Sequence, residues 1–204
     1  MLPSVGSLAI ASVTAVLKDL LGNGLVAYSD ITGVGDVSVS ALPPDRITAG
    51  AEEHNQLNLF MYRVTPHSSL GTEIGKRRLV PGDAQQVQLR LNLYYLLTAY
   101  GMQDFHAEIL LGCAMHVLNT TPVLSTDMIR EALGSSAAMK AKHLMSPARA
   151  ALSASDLTSQ FEQIKITPQF LSFEEMSKLW SALQARYRPS VTYEVSAVTI
   201  SGRN

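Results

Sequence analysis

Two stretches of alternating residues constrain the fold of this chain more than any other feature. In Gln56–Val64 both faces of a predicted strand are apolar: Leu57, Leu59 and Met61 share one face, and Phe60, Tyr62 and Val64 share the other. A strand that is apolar on both faces has to be covered on both, so we expect it to be central in a sheet. The second stretch, Leu89–Thr98, alternates leucine with polar or aromatic residues and is the longest predicted strand. The two strands are predicted to pair as a large hairpin.

Shorter elements flank the hairpin. Before the hairpin, apolar spacing and turn residues predict a helix over 10–21 that Gly22 ends and a strand Val37–Ala41. After the hairpin they predict a helix Gln103–Leu118, with Phe105 and Cys113 facing inward, and a shorter helix from the Ser125 and Asp127 cap to Leu133. The last three predicted elements are a strand at Ile164 and Ile166 that stops before Pro168, a helix opened by the Ser172–Glu175 capping box and stopped by Pro189, and a strand Val191–Ala197. No βαβ unit repeats. The sequence therefore predicts an α+β fold in a single domain, 1–204, with a mostly antiparallel sheet of about five strands and about four helices.

Composition excludes several classes of protein. The chain has 204 residues with 16 Lys+Arg against 17 Asp+Glu, and a nucleic-acid-binding domain would carry a basic excess. Charged residues make up only 16% of the chain, against a usual share of about 25%, so we expect a surface that associates with other subunits. The single cysteine fits a reducing compartment. The uncharged run Ile109–Thr126 contains His116 and Asn119, which are costly in lipid, so we do not expect it to span a membrane. With the balanced charge, this means that neither nucleic acid nor a membrane is an expected partner.

The search for chemistry finds no convincing catalytic set. Gly71–Arg77 resembles a phosphate-binding loop, but its spacing is one residue short and Arg77 stands where Ser or Thr would hold magnesium. The histidines lack the paired spacing of metal ligands. Cys113 and His116 are three residues apart on one predicted helix, which leaves a thiol-dependent enzyme as an alternative, although a cysteine among leucines is typical of a core. We therefore predict no catalytic residues, no cofactor and no metal.

The connection between the hairpin strands is the candidate partner site. Residues 65–86 contain several Gly and Pro, and a connection this long is usually functional or disordered. It carries the one dense basic run, Lys76, Arg77 and Arg78, which is either a solvated loop tip or a contact for an acidic protein partner. Residues 134–156, rich in Ala, Ser and Met, are the least defined segment.

Several blocks of the sequence, in the same order, resemble the cap or tail-terminator proteins of extracellular contractile injection systems, the headless phage-tail-like particles that include the antifeeding prophage and the Photorhabdus virulence cassettes. The resemblance covers roughly 7–200, and residues 134–156 depart from it. The blocks that carry it are Asn55–His67 (NQLNLFMYRVTPH), Leu89–Gly101 (LRLNLYYLLTAYG), Ala107–Leu124 with its Asn-Thr-Thr-Pro-Val-Leu end, Ile166–Pro168, Leu171–Glu175, Leu179–Gln184 and Tyr187–Val195.

The resemblance implies a structural role. Six copies would form a ring on the distal end of the inner tube, stop tube growth and anchor the last sheath ring. The partners would be the tube protein, the sheath protein and other copies of the chain. The protein would be made in the bacterial cytoplasm and assembled into a particle. A tube-initiating or baseplate adaptor subunit of the same particle is the alternative within this class.

Overall fold

A computed structural model of the chain describes residues 8–48, 50, 53–67, 88–138 and 164–201. These residues form four α-helices and six strands: α1 (Ala9–Thr32), β1 (Ser38–Ser40), β2 (Gln56–Pro66), β3 (Gln88–Tyr100), α2 (His106–Thr120), β4 (Val123–Leu124), α3 (Thr126–Ala138), β5 (Ile164–Gln169), α4 (Phe173–Ala182) and β6 (Ser190–Ser201). The predicted α+β class is confirmed.

The strands form one mixed sheet in the order β1-β2-β3-β6-β5-β4. β1 runs parallel to β2, and the other neighbouring pairs are antiparallel, as predicted. The expectation of about five strands missed β4, because its two residues are too few to show alternation.

The central hairpin is confirmed. β2 and β3 pair antiparallel from Gln56 opposite Tyr100 to Pro66 opposite Leu91. β3, with 13 residues, is the longest strand that the structure describes. Leu57, Asn58 and Leu59 in the first half of β2 are buried, whereas Arg63 and Val64 near its end are exposed.

A β-bulge at Tyr62 changes the face that the end of β2 presents. Met61 and Arg63 both have partners on β3, but Tyr62 between them has none in register. Beyond the bulge Val64 lies opposite Leu93, so its side chain shares the face of Leu93 and not that of Tyr62. The predicted placement of Val64 is therefore wrong, because strict alternation cannot include an extra residue.

The main core lies between one face of the sheet and the three helices α1, α2 and α3. Leu93, Tyr95 and Leu97 of β3 are completely buried there. The Tyr95 hydroxyl pairs with Thr14 Oγ1 of α1 at 2.8 Å, so the one polar group of this aromatic side chain is satisfied. The prediction that the first helix and the helix after β3 cover the central strands is confirmed.

Helix α1 is longer than predicted, because neither of its first two glycines ends it. It continues past Gly22 to Thr32. At Gly24 the helix lies directly against Val117 of α2, and a Cβ there would be 2.6 Å from Val117 Cγ2. Glycine therefore allows the close approach of two helices instead of stopping one.

The part of α1 between Ala9 and Tyr28 is, among the described residues, the one helical segment long and apolar enough to cross a membrane by length and composition alone. In this structure Val13, Leu17 and Leu21 from that segment are buried in the core.

Two further helix ends differ from the prediction. Helix α2 begins at His106 and not at Gln103, so Phe105, which was predicted to face inward, precedes the helix and is 73% exposed. Helix α3 extends beyond Leu133 to Ala138, although the Ser125 cap is confirmed by the bond that Met128 N donates to Ser125 Oγ at 3.3 Å. Residues 139–156 of the poorly defined segment lie outside the described residues.

Helix α4 covers part of the second face of the sheet, where Met176 and Trp180 pack on Leu96. It begins with the predicted capping box. It ends at Ala182, well before Pro189, because the chain turns at Gln184.

Strand β5 continues through Pro168. Proline has no backbone N–H to donate to a neighbouring strand. β4 pairs only with Ile164 and Lys165, so on that side Pro168 has no neighbouring strand that would accept such a bond.

Candidate partner-binding surface

The predicted basic contact residues Lys76, Arg77 and Arg78 lie outside the described residues. The structure describes the two ends of their connection: His67 follows β2, and Gln88 begins β3. His67 Nδ1 is 2.7 Å from Asn92 Oδ1 of β3, which fixes the first of these ends on the sheet.

Cys113 has the environment of a structural cysteine. It is partly buried against the main core, and burial raises the pKa of its thiol. A higher pKa leaves less thiolate, whereas a nucleophilic cysteine needs more. The rings of His116 and Tyr28 pack in a T-shaped arrangement, with their centroids 6.1 Å apart. Among the described residues no group of three or more His, Cys, Asp or Glu could hold a metal ion.

The exposed apolar side chains are concentrated at one end of the sheet. Ten large hydrophobic side chains are exposed in the described part of the chain, and five of them lie in or next to three connections at that end: Met102, Phe105, Phe170, Phe173 and Tyr187. We call these five residues the apolar end. The antiparallel topology brings them together, because β3 and β5 finish where β6 begins. Exposed apolar side chains gathered in this way are typical of protein interaction sites.

The backbone is strained at the same end. Phe105 has φ 69° and Gln184 has φ 53°, and they are the described non-glycine residues with positive φ. A bulky residue in this left-handed region costs on the order of 1–3 kcal/mol and persists only where its surroundings hold it. Such strain is concentrated at functional sites.

An ion pair holds this end of the sheet together. Arg188 donates from Nη1 to Glu53 Oε1 at 3.0 Å and from Nη2 to Glu53 Oε2 at 2.6 Å. Glu53 also accepts bonds from the backbone N–H groups of Gly50 and Gly101. Burial raises the pKa of the Glu53 carboxyl, but the bonds from Arg188 and from the two backbone donors outweigh this and lower it overall. The Arg188 guanidinium also lies 5.3 Å from the centroid of the Tyr100 ring.

Asn55 forms a second clamp beside this pair. Its Oδ1 accepts a bond from Met102 N at 2.9 Å and lies 3.0 Å from His106 Nδ1. Its Nδ2 donates to the Val34 carbonyl at 2.6 Å. Together Glu53 and Asn55 fix the 101–105 connection, so Phe105 projects from a rigid support.

A cluster of aromatic rings supports the other half of the apolar end. Tyr187 lies between Phe173 and the buried Trp180, with ring centroids 6.1 and 6.0 Å away. The capping box beneath them is complete: Glu175 N donates to Ser172 Oγ, and Ser172 N donates to Glu175 Oε2. Ser172 donates to the Glu175 carboxylate from both its backbone N–H and its hydroxyl, and these two bonds lower the pKa of this exposed carboxyl.

An open apolar cleft of about 370 Å³ lies next to the apolar end, between the last turns of α2 and strand β5. Phe170 lies at its rim and belongs to both features. The other lining residues are Met115, His116, Leu118, Asn119, Pro122, Ile166, Pro168 and Tyr193.

Reasoning from the sequence missed Glu53, Asn55 and Arg188 as organising residues. Asn55 and Arg188 do lie inside sequence blocks that resemble the cap proteins, and this resemblance was the one indication in the sequence that they matter. Their pairing joins positions up to 135 apart, which a single sequence does not show.

Comparison with known proteins gives a family match over nearly the whole chain. The sequence model of a family described as "Pvc16 N-terminal domain" matches residues 12–204. No curated protein matches the chain significantly by sequence.

Two solved structures, both determined by cryo-EM, are similar in fold to the chain. One is the sheath/tube terminator of the extracellular contractile injection system PVC in its extended state, with 12% identity and a TM-score of 0.48. The other is the tube-terminating cap of the anti-feeding prophage, with 15% identity and a TM-score of 0.48. The matches cover 91% and 82% of this chain but 56% and 49% of the solved chains, so the chain spans about half the length of these proteins.

Proposed function

Because the chain belongs to the Pvc16 N-terminal domain family, we propose that it is a structural cap, or tail terminator, of a contractile injection system. In this role copies of the chain form a ring on the distal end of the inner tube, stop the growth of the tube and anchor the last ring of the sheath. The single observation that carries the proposal is the family match over residues 12–204, which leaves only the first residues of the chain unmatched.

The described surface supports a role in assembly. The apolar end presents five large hydrophobic side chains. Glu53, Asn55 and Arg188 fix the backbone beside Met102, Phe105 and Tyr187, and the Ser172–Glu175 capping box fixes the start of α4 at Phe173. Large apolar and aromatic side chains on a rigid support are typical of the centre of a protein interface. The raised pKa of Cys113, by contrast, does not favour the alternative of a thiol-dependent enzyme.

The partners in this proposal are the tube protein, the sheath protein and further copies of the chain in a six-membered ring. Residues 1–204 act as one domain, and the protein is made in the bacterial cytoplasm and assembled into a phage-tail-like particle. Lys76, Arg77 and Arg78 remain proposed contacts to an acidic surface of the tube or sheath.

Electron microscopy of particles assembled without this protein tests the proposal. Loss of a terminator leaves tubes of uncontrolled length, because nothing stops the addition of tube subunits. Complementation with the intact chain restores a narrow length distribution. Particles of normal length without the protein would contradict the proposal, and a complete absence of tubes would assign the chain to the tube-initiating or baseplate adaptor subunits instead.

A further inference from the structure

We propose that Phe105 of one copy inserts into the apolar cleft between α2 and β5 of the next copy in the ring. This inference rests on the proposed function, because a closed ring of identical subunits needs a head-to-tail interface. Such an interface joins two different surfaces of the same chain. The described structure contains both: a projecting aromatic side chain and an apolar cleft that can accept one.

Phe105 has the properties of an anchor residue. Its side chain is 73% exposed, and its backbone is held at φ 69° although an aromatic residue disfavours this region. The carboxylate of Glu53 and the amide of Asn55 bind the N–H groups of Gly101 and Met102, which hold the connection before it. A strained, exposed and well-supported aromatic residue contributes little to its own subunit and is already ordered for a contact outside it.

The cleft has the size and chemistry to receive a phenyl ring. Its volume is about 370 Å³, whereas a closed cavity of about 150 Å³ is enough to hold benzene. Its lining is mainly apolar and contains no acidic residue. Asp104 precedes Phe105, so insertion of the ring brings a carboxylate to the mouth of a cleft whose lining has no acidic residue to repel it.

On one subunit, Phe105 and the cleft lie at different ends of α2. Phe105 precedes the first turn of α2, and the cleft begins at Met115, ten residues further along the chain. At 1.5 Å per residue the separation along the helix is about 15 Å. Each subunit therefore offers the anchor and the cleft at different places, as a head-to-tail contact requires.

Cysteine cross-linking in assembled particles tests this contact directly. The chain carries Cys113→Ala, to remove its own cysteine, together with Gln103→Cys, an exposed position two residues before Phe105 that leaves the phenyl ring in place, and Asn119→Cys at the rim of the cleft. After mild oxidation, a non-reducing gel should show a ladder of linked subunits up to the hexamer, because each copy links to the next. Chains with only one of the two new cysteines should stay monomeric. A product that stops at the dimer, no ladder, or a dimer from Gln103→Cys alone would overturn the inference.

A second variant separates the contact from folding. Phe105→Gly relieves the positive φ, so the isolated chain should melt at the same temperature as the parent or higher. The occupancy of the cap on purified particles should nevertheless fall by about tenfold or more, and Phe105→Tyr should restore it. Val26→Ala truncates an apolar side chain of α1 that is exposed to a similar degree, 70%, but lies outside the apolar end and the cleft, and it should leave the occupancy unchanged. Parent-like occupancy of Phe105→Gly, or an equal loss with Val26→Ala, would overturn the inference.

These results are distinguishable from a failure of the proposed function. If particles without the protein have uncontrolled tube length but the double-cysteine chain forms no ladder, the cap role stands and this contact is wrong. If their length is normal, the cap role fails whatever the gel shows.

Discussion

Arg188 binds both carboxylate oxygens of Glu53 across 135 residues of sequence. The pair connects the segment before β2 with the segment before β6, and the bond from Gly101 N to Glu53 adds the end of β3. One carboxylate thus ties together the chain at the ends of three neighbouring strands. The side chain of Glu53 is only 9% exposed and that of Arg188 27%, so this pair is better shielded from water than an ordinary surface ion pair.

Removal of this carboxylate should destabilise the fold. Glu53→Ala leaves Arg188 and the Gly101 N–H without their acceptor, and we expect a loss of about 2–3 kcal/mol in the free energy of unfolding. Glu174→Ala is the matched control, because it breaks the exposed pair with Lys178 and should cost no more than about 0.5 kcal/mol. Urea unfolding of the three proteins measures both values. Equal free energies of unfolding for the two variants would show that the Glu53–Arg188 pair stabilises the fold no more than an exposed ion pair does.

The same carboxylate should make stability depend on pH in the acid range. The pKa of Glu53 is lower in the folded chain than its ordinary value of 4.5. The folded state therefore favours the charged form, and this contribution is present above pH 4.5 and is lost as the pH falls through the lower folded pKa. Unfolding free energies between pH 7 and pH 3 should fall less steeply for Glu53→Gln than for the parent. Parallel curves would mean that Glu53 has the same pKa in both states.

A charge at the centre of β3 should unfold the chain. Leu93 is completely buried in the main core, so Leu93→Asp places an unpaired carboxylate there at a cost of several kcal/mol. Val64 lies opposite Leu93 on β2 but is 41% exposed, so Val64→Asp should cost less than about 1 kcal/mol. Circular dichroism melts distinguish the two. A Leu93→Asp protein that melts like the parent would refute the placement of β3 in the core.

The two neighbouring glycines of α1 should respond in opposite directions to alanine. At Gly24 a new Cβ meets the branched side chain of Val117 at 2.6 Å, so Gly24→Ala should destabilise by about 1–2 kcal/mol. At Gly22 nothing lies within 4 Å, so Gly22→Ala should stabilise by about 0.5–1 kcal/mol through helix propensity. Thermal melts of both variants test this. The packing of α1 on α2 would be wrong if both substitutions stabilised the chain.

The basic run should contribute to attachment and not to folding. We expect Lys76→Glu/Arg77→Glu/Arg78→Glu to melt like the parent but to leave particles more readily as salt rises, because exposed ionic contacts are screened. Cap occupancy on purified particles, measured against salt concentration, decides this. If the triple variant stays bound as the parent does at every salt concentration, the three residues are only a solvated part of the connection and contact no partner.

The sequence was sufficient for the elements whose side-chain pattern is long and regular. The two hairpin strands, the helix that covers them and the Ser172–Glu175 capping box all follow local rules, and all are present. The positions that failed depend on tertiary contacts. Gly22 was predicted to end α1, but burial of Leu21 and Leu25 against the sheet keeps the helix intact beyond it.

The candidate partner-binding surface could not be predicted from the sequence in the same way. Tyr187 lies 82 residues beyond Phe105 in the sequence, and only the antiparallel order of the strands brings it to the same end of the sheet as Met102 and Phe105. The bulge at Tyr62 is likewise invisible in the sequence, because a strand with both faces apolar reads the same with or without a shift of register.

The central hairpin also has a mechanical consequence. The connection that carries the basic run begins at His67 and ends at Gln88, at the far end of the sheet from Glu53 and Arg188. The 11 residues of β2 separate these ends by about 36 Å at about 3.3 Å per residue. A pull between partners held at the two ends acts along the strands, so it shears the hydrogen bonds of β2, β3 and β6 together and does not peel them apart one by one. A subunit that partners hold at these two ends would bear tension along the direction in which its sheet is strongest.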